Sequence, residues 1–380
     1  MKKYIIAMKL LKIKNSMIIE LLTFLSDNKV KELFSDRYKE VIEGNINLLP
    51  YIEYFEERQK VKQALSEAEK IIEKSKAMNI KILTINQRNY PKSLKGLGDA
   101  PVVLYIRGKN YNRNYKKALA CVGTRTPSEF SKKAVDYMVP NWVREDFTIV
   151  GGLAEGVDTL AHKKCLENGG KTIAVLAHGL DMVYPKSNEI LAEEIVSKGG
   201  LLVSEYPVGT KPEKHRFVER NRIIVGLAEG TVVFECKEKS GTMHSVEYSI
   251  EQKKPIFYPN PGNERNIYLD GIRSLINRNV GYMIENGNNF EKPIMILGYA
   301  LKKSPLRLKQ LKKIGFYKII QKIVRVNAEE EHDIPLSKED TKRVSIEVNR
   351  DNYERFKEIA KDNNLSVKEL MNLLIDSVVK

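Results

Sequence analysis

The stretch Ala118-Leu119-Ala120-Cys121-Val122-Gly123-Thr124-Arg125-Thr126-Pro127-Ser128-Glu129 decides the fold. Five apolar residues in a row read as a strand buried on both faces, and a glycine ends the run. Thr126-Pro127-Ser128-Glu129 has the form of a capping box with proline at the first helical position, which predicts a helix starting directly after Arg125. Strand, tight turn, helix is the repeating unit of a parallel sheet covered by helices.

The same rhythm extends to Gly262. Further strands are expected at Phe147–Val150, Thr172–Leu176, Leu201–Ser204, Thr231–Phe234 and Pro255–Tyr258, with helical patterns between them. Asn168-Gly169 and Lys198-Gly199 read as helix stops. The expected fold is α/β with a largely parallel sheet and helices on both faces. Its richest turns are Gly123-Thr124-Arg125, Gly151 to Asp158, Glu219 to Arg222 and Ser240-Gly241-Thr242. Turns at the carboxyl edge of such a sheet hold phosphate through backbone N–H groups and helix N-termini, without a catalytic group.

Outward from this block the texture changes. Residues 1–77 repeat apolar positions at three- and four-residue intervals and predict a small helical domain. Residues 78–288 form the α/β core, beginning with the strand Lys81 to Ile85. Residues 289–338 make a connector whose segment 302–326 holds nine Lys or Arg and no acid; it reads either as a nucleic-acid-contacting arm or as a solvated helix. In residues 339–380, Val344, Ile346 and Val348 alternate with polar residues, and two helical patterns follow. A strand-helix-helix module this short must dimerise or dock to bury its apolar face.

Composition narrows the partner. A net charge of +15 over 380 residues, with 42% hydrophobic and 30% charged residues, describes a globular protein with a polyanionic partner. Cys121, Cys165 and Cys236 form no CxxC pair and no zinc spacing, so reduced thiols are expected. No signal-peptide core and no apolar run near ~20 residues is present, so the reading places the protein in the cytoplasm and off the membrane. The five histidines show no metal or catalytic spacing, and neither GxGxxG nor a Walker loop opens the turn after Val122. No catalytic residue, metal or cofactor is expected.

The binding residues cluster. Gly123 admits a close ligand, Thr124 offers a hydroxyl and Arg125 a bidentate fork for phosphate. Ser240, Gly241 and Thr242 open a helix, where the alternatives are phosphate binding and plain capping. Lys211, Lys214, Arg216, Phe217, Arg220, Asn221 and Arg222 combine five positive charges with an aromatic ring and an amide. That combination suits a single-stranded nucleic acid, with cations on phosphates and Phe217 against a base.

Taken in order, these motifs resemble the DNA-processing protein A (DprA/Smf) family. The resemblance runs from about residue 79 to 284 through Tyr90-Pro91, Val122-Gly123-Thr124-Arg125, Gly152-Leu153-Ala154, Gly156-Val157-Asp158, Gly179-Leu180-Asp181, Tyr184-Pro185, Ser204-Glu205-Tyr206-Pro207, Arg220-Asn221-Arg222, Ser240-Gly241-Thr242 and Pro259-Asn260-Pro261-Gly262. It implies an extended Rossmann-like core that binds single-stranded DNA, dimerises and loads a RecA-type recombinase. By this resemblance Arg125, Lys214, Phe217, Arg220 and Arg222 line the DNA pocket, and Gly123, Thr124, Ser240, Gly241 and Thr242 contact phosphate. Val218 stands where the family usually has proline. The C-terminal module resembles a ribbon-helix-helix fold, which could dimerise or read duplex DNA. A second reading is a nucleotide-binding enzyme or sensor on the related lysine-decarboxylase-like scaffold. That family needs a glutamate soon after its Gly-x-Gly-Thr, whereas Glu247 comes late here.

Overall fold

The computed structural model describes residues 1–109, 117–263, 266–285 and 291–297. Helices fill the N-terminal part: α1 (Lys2–Leu10), α2 (Asn15–Phe24), α3 (Asp27–Glu32), α4 (Tyr38–Glu43), α5 (Ile52–Glu56) and α6 (Arg58–Ala77). Strand and helix then alternate: β1 (Lys81–Thr84), α7 (Lys92–Lys95), β2 (Val103–Arg107), β3 (Ala118–Val122), α8 (Glu129–Arg144), β4 (Thr148–Gly151), α9 (Val157–Glu167), β5 (Thr172–Leu176), α10 (Glu189–Ser197) and β6 (Leu201–Ser204). They continue with α11 (Lys214–Leu227), β7 (Gly230–Val233), α12 (Gly241–Glu251), β8 (Ile256–Pro259), α13 (Asp270–Asn277) and β9 (Tyr282–Ile284).

The nine strands of the described residues join one sheet in the order β1-β2-β6-β5-β4-β3-β7-β8-β9. From β6 to β9 every pairing is parallel, and only β1–β2 and β2–β6 are antiparallel. The apolar run Ala118–Val122 is buried along its whole length because β4 and β7 flank it, with Leu119 opposite both Ile149 and Gly230. The strands expected from the sequence form, with shifts of one residue at some ends. Two strands fall outside that reading. β2 is antiparallel and opens no strand–turn–helix unit, and β9 has three residues, too few to show a period.

Chain order sets the site. From β3 the sheet grows through β4, β5 and β6 in one direction, and from β7 through β8 and β9 in the other. The reversal lies between β3 and β7, and the crevice outside the carboxyl ends of strands at such a point is where open α/β sheets take ligands.

Residues 1–287 form one compact unit. In it α1 packs on α6, both pack on β1, and Ile5, Ile6, Met8, Val61, Ala68 and Ile71 of the two helices are buried. A polar network joins this helical layer to the sheet. Asn15 of α2, itself buried, donates from Nδ2 to Asp99 Oδ1 (2.9 Å) and Glu205 Oε1 (3.0 Å). Arg222 of α11 donates from Nε to Asp99 Oδ2 (3.1 Å) and from Nη2 to Glu205 Oε2 (2.7 Å). Lys9 Nζ closes the set on Asn15 Oδ1 at 2.6 Å. At the far end of α11, Lys254 Nζ donates to the carbonyls of Val225, Gly226 and Ala228 at 2.6–2.8 Å, satisfying groups a helix end leaves open.

Residues 288–380 form a second unit, of which the helix α14 (Glu291–Ile296) is described. The basic segment 302–326 and the expected module at 339–380 lie outside the described residues. Among the described residues no helix is long and apolar enough to cross a membrane.

Candidate nucleic-acid interface

Backbone hydrogen bonds fix the turn after β3. Thr124 N donates to Glu235 O (2.7 Å), and Val157 N donates to Thr124 O (3.1 Å). Thr242 Oγ1 donates to Gly123 O at 3.1 Å, tying the start of α12 to the same turn. Helix α8 does not start directly after Arg125. Its N-cap is Ser128, whose side chain makes no capping bond, and helical geometry begins at Glu129. The reason is Glu235, fully buried just past β7, which accepts from Ser128 N (2.9 Å), Ser131 Oγ and Asn266 Nδ2 (3.2 Å). A buried carboxylate serves the first turn of α8 in place of the capping box. Residues 123–128 are thereby left as an open turn, with Arg125 exposed on it.

The glycine-rich turn after β4 is occupied from within. Asp158 Oδ2 accepts from Gly152 N at 2.7 Å and from Ala154 N at 3.5 Å, so the carboxylate sits where an external anion would otherwise bind. Two glycines make this possible. A Cβ on Gly152 would lie 2.0 Å from Arg220 Nη1, and Gly156, at φ +82°, would place one 2.3 Å from Thr124 O. Beneath the turn, His162 Nδ1 is 2.6 Å from Thr172 Oγ1, which itself donates to Ile149 O. The imidazole therefore donates from Nδ1. Burial, helped by the positive charge of Arg220, drops the His162 pKa to about 3.

Helix α11 presents two different faces. Lys214, Phe217 and Asn221 follow i, i+3, i+7 spacing and share one side. Lys214 is exposed, Phe217 and Asn221 are half-buried, and Asn221 Nδ2 donates to Gly241 O at 3.4 Å. The Arg125 guanidinium lies 6.0 Å from the Phe217 ring centroid. Gly123, Thr124, Arg125, Phe217, Asn221, Gly241 and Thr242 thus form one rim across the β3/β7 crevice, with Ser240 as the N-cap of α12 and Lys214 one turn before Phe217.

Arg220 and Arg222 do not join that rim. Arg220 is 5% exposed and donates from Nη1 to the carbonyls of Gly152 (2.7 Å) and Val175. Burial pushes its pKa down to about 10, against the opposing pull of Asp158. Arg222 is held by Asp99 and Glu205, and those carboxylates raise its pKa against the effect of burial. Arg216 also turns aside, pairing with Glu213 (3.0 Å) over the ring of Tyr206. Of the five cations expected to act together, the structure sends three to internal partners. One residue outside the expected set joins the rim: Tyr184, whose ring centroid is 5.6 Å from that of Phe217. Its sequence signal is the Tyr184-Pro185 turn after β5, which shows no charge pattern of its own. Among the described residues no group of three or more His, Cys, Asp or Glu could hold a metal ion.

A cationic and aromatic rim stands at the reversal point of the mostly parallel sheet of a Rossmann-like protein. The chain belongs to the family described as DNA recombination-mediator protein A, whose sequence profile matches residues 81–293. Protein Smf of Synechocystis sp. is 39% identical over 189 residues, 49% of this chain and 47% of that protein, so the match spans about half of the relative's length. The X-ray structure of DNA processing protein A from Streptococcus pneumoniae superposes with a TM-score of 0.56 at 30% identity, covering 73% of this chain and 96% of that one. A Helicobacter pylori structure described as showing the single-stranded DNA binding mode of DNA processing protein A gives 0.51 at 29% identity, over 57% and 95% of the two chains.

Proposed function

We propose that this protein binds single-stranded DNA along the β3/β7 crevice, protects it, and passes it to a RecA-type recombinase during DNA processing. The carrying observation is the joining of Arg125, Phe217, Asn221 and Gly241 into one rim, with Lys214 exposed beside it. Arg125 and Lys214 hold phosphates, the aromatic surface takes bases, and Gly123, Thr124, Ser240 and Thr242 shape the path. Arg220 and Arg222 keep the helix in place from behind, while Asn221 ties the rim to Gly241.

The action is binding rather than catalysis. Glu235 is spent on α8 and Asn266, and Glu247 pairs with His244 at 3.1 Å on the outer side of α12. Neither carboxylate is free to act as a general acid or base at Ser240–Thr242. The working form is a cytoplasmic homodimer, and residues 339–380 add a second dimerising or duplex-binding element. The test is a salt titration of full-length protein against single- and double-stranded oligonucleotides. Single-strand preference, with a salt slope that falls by about 1 in Arg125→Ala and in Lys214→Ala, is expected. Unchanged affinity in both variants places the DNA elsewhere, and release of a free base from a nucleoside monophosphate makes the protein an enzyme.

A further inference from the structure

The loop from β5 to α10 leaves the sheet at the same carboxyl edge as the crevice, and it is tightly anchored. Gly179 N donates to Thr210 O (2.9 Å), and Asp181 Oδ1 accepts from Gly209 N (2.9 Å). Past Tyr184, Ser187 Oγ donates to Glu155 Oε1 (3.2 Å), and buried Asn188 Nδ2 donates to Leu153 O (3.0 Å) and Thr159 Oγ1 (2.8 Å). Tyr184 is therefore carried on a short segment pinned at both ends, yet 47% of it is exposed. The rigid loop thus presents this ring to solvent beside Phe217.

Tyr184 and Phe217 meet at 5.6 Å between centroids with planes tilted by 48°, and the Arg125 guanidinium stands 6.0 Å from the Phe217 ring. Phe217 is thus engaged by both neighbours and half-buried, while Tyr184 carries the larger free surface. Resting on the single-strand reading above, we infer that Tyr184 is the outer stacking ring of the site and takes an unpaired nucleobase, with Phe217 as the ring that positions it. Every base has a π-face, so such a subsite accepts any sequence. A paired base within a duplex has both faces covered by its neighbours, so the same subsite selects single strands.

The experiment uses the full chain and an oligonucleotide of about 20 thymidines carrying one 2-aminopurine, longer than a single site of this kind. Affinity and fluorescence quenching at saturating protein are read separately. Tyr184→Ala is expected to weaken binding about tenfold and to abolish the quenching, while Tyr184→Phe keeps both. Phe217→Leu is expected to leave part of the quenching, since the outer ring remains. Lys214→Ala weakens binding and keeps the quenching at saturation, which separates phosphate contact from stacking. Full quenching in Tyr184→Ala, or its loss in Phe217→Leu with retention in Tyr184→Ala, overturns the assignment. Parental affinity in both Lys214→Ala and Tyr184→Ala overturns the crevice reading together with it.

Discussion

Arg125 and Arg220 are the same residue type in the same crevice wall, and they do opposite work. Arg125 stands in solvent on the turn after β3, close enough to Phe217 to share its face. Arg220 is almost wholly buried, with its guanidinium on two backbone carbonyls and Asp158 nearby. The contrast teaches that a run of arginines reports net charge, while helical phase decides which charges a ligand meets. An exposed cation costs the fold nothing and is available to phosphate, whereas a buried one is retained only where internal acceptors replace water.

The sharpest break of that contrast is Arg220→Ala. It strands the carbonyls of Gly152 and Val175 and leaves Asp158 without its compensating charge, so stability is expected to fall by about 3–5 kcal/mol. Chemical denaturation reads this directly, and an unmoved midpoint would mean that the buried guanidinium carries nothing. A second effect follows from the burial of His162, with the charge of Arg220 adding to it. His162 has a folded pKa near 3, below its ordinary 6.5, so the unfolded chain takes up a proton that the folded chain refuses. The contribution is complete above about pH 6.5 and is lost as pH falls toward 3, about 2 kcal/mol of it by about pH 5. His162→Gln should flatten stability against pH in that window; an unaltered profile would assign the slope to other groups.

Smaller effects are expected at the surface. Arg125→Ala and Lys214→Ala should each reduce single-strand affinity by about 1–2 kcal/mol and leave stability within about 0.5 kcal/mol of the parent. A large drop in melting temperature in either variant would erase the distinction from Arg220. Smallest of all is Ser128→Ala. Because Glu235 holds the first turn of α8, removing this hydroxyl should cost well under the ~1 kcal/mol of a lost N-cap, checked by denaturant midpoint.

Much of this architecture is legible in the chain. Buried parallel strands are continuous apolar runs, and Ala118–Val122, Thr172–Leu176 and Leu201–Ser204 stand where the sequence puts them. The helix stops at Gly169 and Gly199 are legible for the same kind of reason, since both adopt positive φ. What stays hidden depends on contacts between distant residues. Glu235 reaches Ser128 and Ser131 across more than a hundred positions, so no local pattern could move the start of α8. The glycine-rich turn looks open to phosphate in sequence, and only the fold brings Asp158 back onto Gly152 N. Tyr184 stays hidden as a site residue because a lone tyrosine in a loop carries no period and no charge.

The four-way junction of Asn15, Asp99, Glu205 and Arg222 has an architectural consequence. Composition invites a cut near residue 77, where helical texture gives way to the first strand, but such a cut discards Asn15 and leaves two carboxylates around a single arginine. That arginine sits on the helix that also bears Lys214 and Phe217. The N-terminal helices are therefore masonry rather than ornament: the helix that carries Lys214 and Phe217 is braced through Asp99 and Glu205 by Asn15.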